Sequence, residues 1–313
     1  MISALFSILI FPGFLFLSTV ALYAEYFDRI LYARFQNRKG PPWFQPLADF
    51  IKLLAKEDFV PTEANPGIFR LMPLVALASS VAAFLYIPLW SVNSLYPFSG
   101  DLIVVLYLLT IPTIAFFVGG WYSTSLYARI GSVRTITQMF AYEIPLFMGI
   151  LAASLLSGSW SLSDMAAFYA KNPSYMAFNV IGFVVSFIAL IGKLEKAPFD
   201  IPEAETEIVA GSFTEYSGKL LAFFRMTFDI EFVVGASLLA AVFLPFGLTL
   251  GPILGFLVYL IKTFFIIALI SLTRTVVARL RLDQMLAFSW QIIVPLALVQ
   301  LFINIILKGL LKI

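Results

Sequence analysis

Eight apolar stretches, each about as long as a bilayer is thick, recur along this chain near 2–25, 70–91, 102–126, 137–157, 176–192, 220–246, 251–272 and 286–307. A helix of about 20 apolar residues spans the hydrocarbon core, and it satisfies its backbone amides and carbonyls internally, as lipid requires. The pattern predicts an all-α, polytopic integral membrane protein of about eight transmembrane helices. No internal repeat and no low-complexity linker interrupts it, so residues 1–313 read as a single integral membrane domain. The first stretch, MISALFSILIFPGFLFLSTVALYAEYFDR, has no basic n-region and is expected as a retained helix, not a signal peptide.

Composition agrees and excludes several chemistries. The chain is 61% hydrophobic and 12% charged, with a mean hydropathy of +0.97. A net charge of +2 gives no indication of nucleic acid. There is no Cys and no His, so the chain offers no thiolate or imidazole to a metal, an iron–sulfur cluster or a haem. Proton chemistry must then use carboxylates, Lys, Tyr and water.

The basic residues fall on one side. Loops after the first, third, fifth and seventh stretches hold Arg29, Arg34, Arg38, Lys39, Lys52, Lys56, Arg70, Arg129, Arg134, Lys193, Lys196, Lys219, Arg274, Arg279 and Arg281, whereas the opposite loops hold Lys171. The positive-inside rule places both termini outside, and residues 193–219 in the cytoplasm. Residues 43–59 put Phe44, Leu47, Ile51 and Leu54 on one helical face, with Asp49, Lys52, Lys56 and Glu57 mostly on another, as an interfacial or docking helix does. Residues 161–170 read either as a second such helix or as an ordinary surface helix.

A charge inside a span costs roughly 2.5–3.5 kcal/mol on insertion scales, which marks it as a functional candidate unless a partner explains it. Glu143, Arg225, Asp229, Glu231 and Lys262 qualify; Glu25, near the inner end of the first span, is equally explained by an ion pair with an Arg. Glu143 is expected one and a half to two turns inside the fourth helix. Pro145, just after it, removes an amide donor and can leave a carbonyl free for water. Asp229 and Glu231 point about 200 degrees apart in a helix and cannot share one site. Arg225 and Asp229, at i and i+4, allow a buried ion pair. Lys262 has no acid in its own helix, which leaves a partner on another helix or a protonatable relay.

Between the fifth and sixth spans lies EKAPFDIPEAETEIVAGSFTEYSG, with Glu195, Asp200, Glu203, Glu205, Glu207 and Glu215 among the 18 acids of the chain. Pro198 and Pro202 favour an extended approach to a helix start, where Glu203 and Glu207 share a face and Glu205 points elsewhere. Acids at a helix start are favoured by its dipole, which explains one or two of them. Crowded carboxylates raise one another's pKa, so such a cluster can also hold protons near neutral pH. Calcium or magnesium binding competes as a reading, without a known loop pattern.

Four segments in chain order, RFQNRKGPP with QPLADFIKLLAKED (34–58), QMFAYEIP (138–145), KAPFDIPEAETEIVAGSFTEYSG (196–218) and RTVVARLRLDQMLAFSWQIIVPLAL (274–298), resemble the H subunit of respiratory complex I. The resemblance implies tilted helices with one or two interfacial ones, a docking surface for a peripheral redox arm, and an acidic path coupling electron transfer to ion movement. It assigns no catalytic residue and no cofactor or metal to this chain. By motif it carries the path onto Glu143, Glu203, Glu205, Glu207, Glu215 and Asp283. Asp229, Glu231 and Lys262 join them as intramembrane charges. The docking face falls on Arg34, Arg38, Lys39 and Asp200.

Two departures stand out. GPPWFQP (40–46) is shorter than the matching segment of quinone-linked relatives, and resembles the corresponding part of energy-converting membrane-bound [NiFe] hydrogenases and formate hydrogenlyase. Thr227 stands where the relatives have a Glu, so the path through that helix is expected to be rerouted. The resemblance therefore implies a non-redox membrane subunit of a hydrogenase-type complex, with peripheral large and small subunits that carry iron–sulfur clusters and a nickel–iron centre. Antiporter-like and small membrane subunits would accompany it in the cell membrane, moving protons or sodium. The alternatives are a sulfane sulfur reductase and a quinone-reducing complex I-like enzyme; an inert anchor and a free-standing transporter fit the intramembrane charges and the lack of repeats less well.

Overall fold

The computed structural model describes residues 2–311. Its helices in chain order are α1 (Ile2–Leu9), α2 (Phe14–Phe35), α3 (Gln45–Leu54), α4 (Pro66–Leu85), α5 (Asp101–Trp121), α6 (Leu126–Ser157), α7 (Leu162–Lys171), α8 (Val180–Lys193), α9 (Glu205–Ile208), α10 (Gly218–Phe243), α11 (Pro252–Val276), α12 (Leu282–Phe288) and α13 (Val294–Leu311). Eight spans among the described residues are long and apolar enough to cross a membrane, as the hydropathy pattern predicts. The first combines α1 and α2 across a break at Phe11, Pro12 and Gly13. Pro12 has no amide donor, and a Cβ on Gly13 would fall 1.9 Å from the Ile8 carbonyl oxygen, so this corner needs glycine.

The ends of two spans differ from expectation. α2 continues to Phe35, ten residues past the predicted boundary, and carries Glu25, Asp28 and Arg29 on its C-terminal half. α6 begins at Leu126, eleven residues early, so Glu143 lies near the middle of a 32-residue helix, not two turns from its start. Polar Arg129, Arg134, Thr135 and Gln138 hide that extension from hydropathy, although an α-helix continues freely into water once its amides are paired.

α10 is the central helix. Every residue from Ile230 to Phe243 is buried, and the helix packs against α2, α4 and α11. Burial on all sides accounts for its continuous apolar sequence, and it places Glu231 among helices and away from lipid. α6 packs against α5, α8 and α13. Pro145 deprives the Ala141 carbonyl of its helical donor, and the Ser289 hydroxyl, from a π-helical turn at Ser289–Ile293, donates to that oxygen. The free carbonyl expected to bind water is thus taken by a side chain.

α3 forms where the amphipathic pattern places a helix: Phe44, Leu47 and Ile51 are exposed, while Pro46 is buried and Asp49 accepts from Arg29. α7 is more than a surface helix, since Leu162, Met165, Ala166 and Tyr169 are buried. The acidic loop departs most. Its α-helix is the four-residue α9, Glu203 lies before it in a turn, and the capped helix start bearing Glu203 and Glu207 on one face does not form.

Candidate functional site

Lys193 ends α8, and the chain turns immediately, with Glu195 in the left-handed backbone region at a φ of 50°. Gln138 of α6 holds this turn by donating to the carbonyls of Gly192 at 2.7 Å and Phe199 at 2.8 Å. The Tyr142 ring lies so close to Gly192 that any Cβ there would collide with it. Lys193 is therefore fixed in the bundle, not free in a loop. Its Nζ donates to the Leu109 carbonyl, in the α5 turn that contains Pro112, and to Thr113 Oγ1 at 3.3 Å.

Two carboxylates flank that ammonium. Glu143 Oε1 and Glu231 Oε1 each lie 3.7 Å from Lys193 Nζ, and Glu231 is only 1% exposed. At an effective dielectric of 20, each attraction is about 4 kcal/mol, comparable with the several kcal/mol lost in desolvating each ion. Beside them is a cavity of about 10 Å³, lined by Thr113, Thr135, Gln138, Glu143, Lys193 and Glu195 among others, with room for about one water.

Glu195 also lines a second, larger cavity of about 610 Å³. Six acids (Glu25, Asp49, Glu195, Asp200, Glu203, Asp229) and five bases (Arg29, Lys196, Arg225, Arg274, Arg279) line this vestibule. Most are paired: Arg29 with Glu25 at 2.8 Å and Asp49 at 2.9 Å, Arg225 with Glu203 at 2.9 Å, and Arg279 with Asp200 at 3.3 Å. Beneath them Asp28, fully buried, accepts Lys196 Nζ at 2.8 Å and Arg274 Nη1 at 3.0 Å, and also the Ser271 hydroxyl. Lys196 sits 3.4 Å from the centre of the Phe232 ring. Asp229 faces the vestibule with no ion pair among the described residues.

Glu195 is the group common to both cavities. Its Oε2 is buried without a hydrogen-bond partner among the described residues. Burial, reinforced by the negative charges of Glu203 and Glu231, pushes its carboxyl well above the usual carboxylate range, and Lys193 and Arg225 offset this only in part. The arrangement is a mixed-charge chamber and a small polar cavity that share Glu195, beside a deep Glu–Lys–Glu group.

The expected site residues divide accordingly. Glu143 and Glu231 meet at Lys193; Glu203, Asp200 and Asp229 line the vestibule. Asp229 and Glu231 do point to different places, but Arg225 pairs with Glu203 and not with Asp229. Glu207 lies outside the vestibule, where it accepts from Arg134 at 2.7 Å; that bond is the main reason its carboxyl is lowered. Glu205 begins α9, and its side chain is outside the described residues. Glu215 is half-buried and lines neither cavity, and Asp283 is exposed in the first turn of α12. Among the described residues Lys262 is neither paired with a carboxylate nor joined to the vestibule: it donates to the carbonyls of Leu244 at 2.9 Å and Phe246 at 3.1 Å, closing the end of α10. Arg34, Arg38 and Lys39 are exposed around the end of α2.

The sequence matches the model of the NADH dehydrogenase family over residues 7–305. The chain belongs to that family. It is 34% identical over 303 residues to the H subunit of the NADH-quinone oxidoreductase of Carboxydothermus hydrogenoformans, covering 93% of this chain and 85% of the relative. The H subunit of the same oxidoreductase from Dehalococcoides mccartyi is 36% identical over 284 residues, covering 88% and 79%. Among solved structures, a chain of the membrane-bound sulfane sulfur reductase, an archaeal respiratory membrane complex, shares the fold with a TM-score of 0.83. That match covers 93% of this chain and 96% of the other at 24% identity. The resemblance carried by the four motifs is thus met at family level, and this NADH dehydrogenase family member is a multi-pass integral membrane protein.

Sequence reasoning misses the residues that organise the site of this family member. Lys193 and Lys196 follow an apolar span and read as orientation charges, and Asp28 carries no expected role. One signal is available: Asp28 lies three residues after Glu25 and one before Arg29, so a single helical face presents both acids. The destination of Lys193 is a tertiary fact without a local trace.

Proposed function

We propose that this chain is the ion-translocating coupling subunit of a complex I-like respiratory assembly of the hydrogenase type. The supporting observation is the continuity of ionisable groups from the vestibule through Glu195 to Glu143, Lys193 and Glu231. A redox arm docked at Arg34, Arg38, Lys39 and Asp200 changes charge next to the vestibule, and the path answers with protons or sodium. Both termini face outward and the acidic loop faces the cytoplasm.

The acceptor reading rests on the short GPPWFQP segment, which leads directly into α3. Iron–sulfur clusters and a nickel–iron centre belong to the large and small peripheral partners, with antiporter-like subunits in the membrane. The relatives named as quinone oxidoreductase subunits and the fold shared with a sulfane sulfur reductase chain support the alternative reading, a quinone- or sulfane-sulfur-reducing complex with a different arm. Purifying the intact complex through a tag on this chain separates them: stoichiometric nickel with hydrogen evolution supports the hydrogenase type, and iron without nickel rejects it. Coupling is tested by Glu143→Gln, which should lower ions moved per electron in proteoliposomes; an unaltered ratio contradicts a role in coupling.

A further inference from the structure

Three arginines converge on a pocket that takes no part in the ionisable path. Arg134 of α6 with Arg279 and Arg281, just before α12, lines a cavity of about 330 Å³, and Glu207 is the one acid among its described lining residues. That volume falls in the range of small-ligand pockets, about 300–1,000 Å³. Ile201, Leu280 and Leu282 supply an apolar wall. The pocket is held in shape, because the Leu280 amide donates to the Pro198 carbonyl at 3.0 Å and Arg134 Nη1 to the Ile201 carbonyl at 3.4 Å.

The charges do not cancel. Glu207 accepts from Arg134 at 2.7 Å and stands 3.8 Å from Arg279 Nη1, while Arg279 Nε meets Asp200 at 3.3 Å. Arg281 is exposed and has no ion pair among the described residues. One guanidinium of the three is left without a counter-charge. Glu207 turns one oxygen toward each of two guanidiniums, which is how a phosphate is also received.

Depth selects the source of the anion. Arg134 lies three residues before the apolar stretch that begins near 137, and Arg281 five before the one near 286. At 1.5 Å per helical residue both stand about 5–8 Å from the hydrocarbon, within the headgroup zone of a bilayer. The helix surface beyond them is apolar and open: Val133 and Phe140, seven residues apart on one face of α6, are exposed, as is Trp290 after α12. An acidic protein partner arriving from water has no use for that surface, whereas acyl chains do.

We propose that this pocket binds the phosphate of an anionic phospholipid from the leaflet on the acidic-loop side, with Arg281 as the residue that selects for net charge. Basic pockets between membrane helices hold such headgroups, and the acyl chains lie along Val133 and Phe140. A zwitterionic headgroup brings its own cation beside the arginines and binds less well. Arg279 also lines the vestibule, so the lipid sits against the wall of the charged chamber.

The test uses the intact complex in phosphatidylcholine nanodiscs doped with a phosphatidylglycerol or a phosphatidylcholine carrying a photoreactive acyl chain, and mass spectrometry of the segments around Val133 and Trp290. One guanidinium beside an anionic headgroup changes occupancy about fivefold. The phosphatidylglycerol probe should therefore label these segments at least fivefold more than the phosphatidylcholine probe. Arg281→Gln should abolish that preference, and Arg129→Gln, equally exposed on α6, should leave it intact. Equal labelling by the two probes, which needs no variant to detect, overturns the proposal and leaves only unselected boundary lipid. Loss of labelling with excess inorganic phosphate also overturns it, in favour of a free phosphate. Labelling that appears only after the peripheral arm is stripped overturns it as well, because the pocket then belongs to a protein partner.

Discussion

Lys196 and Asp28, 168 positions apart in sequence, meet at 2.8 Å, and this contact anchors the acidic loop to α2. Asp28 is fully buried and also receives Arg274. Breaking a buried pair leaves charges uncompensated, typically at a cost of about 3–5 kcal/mol. Asp28→Asn should therefore lower the thermal midpoint of the detergent-solubilised chain well beyond Glu25→Gln, whose side chain is 17% exposed. Equal shifts would contradict Asp28 as the anchor.

Ser289 and Pro145 should be energetically coupled through the Ala141 carbonyl. Ser289→Ala leaves a buried acceptor unmatched, an effect of about 1–3 kcal/mol. Pro145→Ala restores the backbone donor, so Ser289→Ala should cost less in that background. A double-mutant cycle measured by unfolding in mixed micelles reads the difference; strict additivity would show that the hydroxyl does not replace the missing amide.

These two contacts mark the limit of what is legible in the sequence. Eight spans are visible because length and apolarity alone decide insertion, and α3 because its outward row of Phe44, Leu47 and Ile51 keeps helical spacing. The start of α6 is not, since its first turns are polar while remaining helical. In the site, Glu143 and Glu231 stand out as charges within apolar runs. Lys193, Glu195, Lys196 and Asp28 do not, because their roles depend on α5, α6, α10 and α11 converging on one loop.

Glu195 should give stability a pH dependence. Its folded pKa is raised above the unfolded value, so its contribution is fully present below the unfolded carboxylate pKa and is lost as pH rises through the folded one. Stability of the wild-type chain should fall over that window, above about pH 4.3, and Glu195→Gln should flatten the fall. Thermal midpoints of both proteins, followed from acid to mildly alkaline pH, check this; parallel curves would exclude Glu195 as the source.

Lys262 should behave as a helix cap. Lys262→Met strips the donor from the Leu244 and Phe246 carbonyls, at about 1–3 kcal/mol. Amide exchange in the last turn of α10 should quicken relative to its middle. Unchanged exchange there would assign Lys262 another purpose.

Glu231 offers the most direct measurement, because its two oxygens are buried at the end of the proposed path with Lys193 as their one ionic partner within 4 Å among the described residues. Glu231→Gln keeps the shape and removes the titrating group. In proteoliposomes of the assembled complex, ions moved per electron should fall at least fivefold. A ratio equal to that of the unmodified complex, with the subunits still assembled, would contradict coupling through this chain.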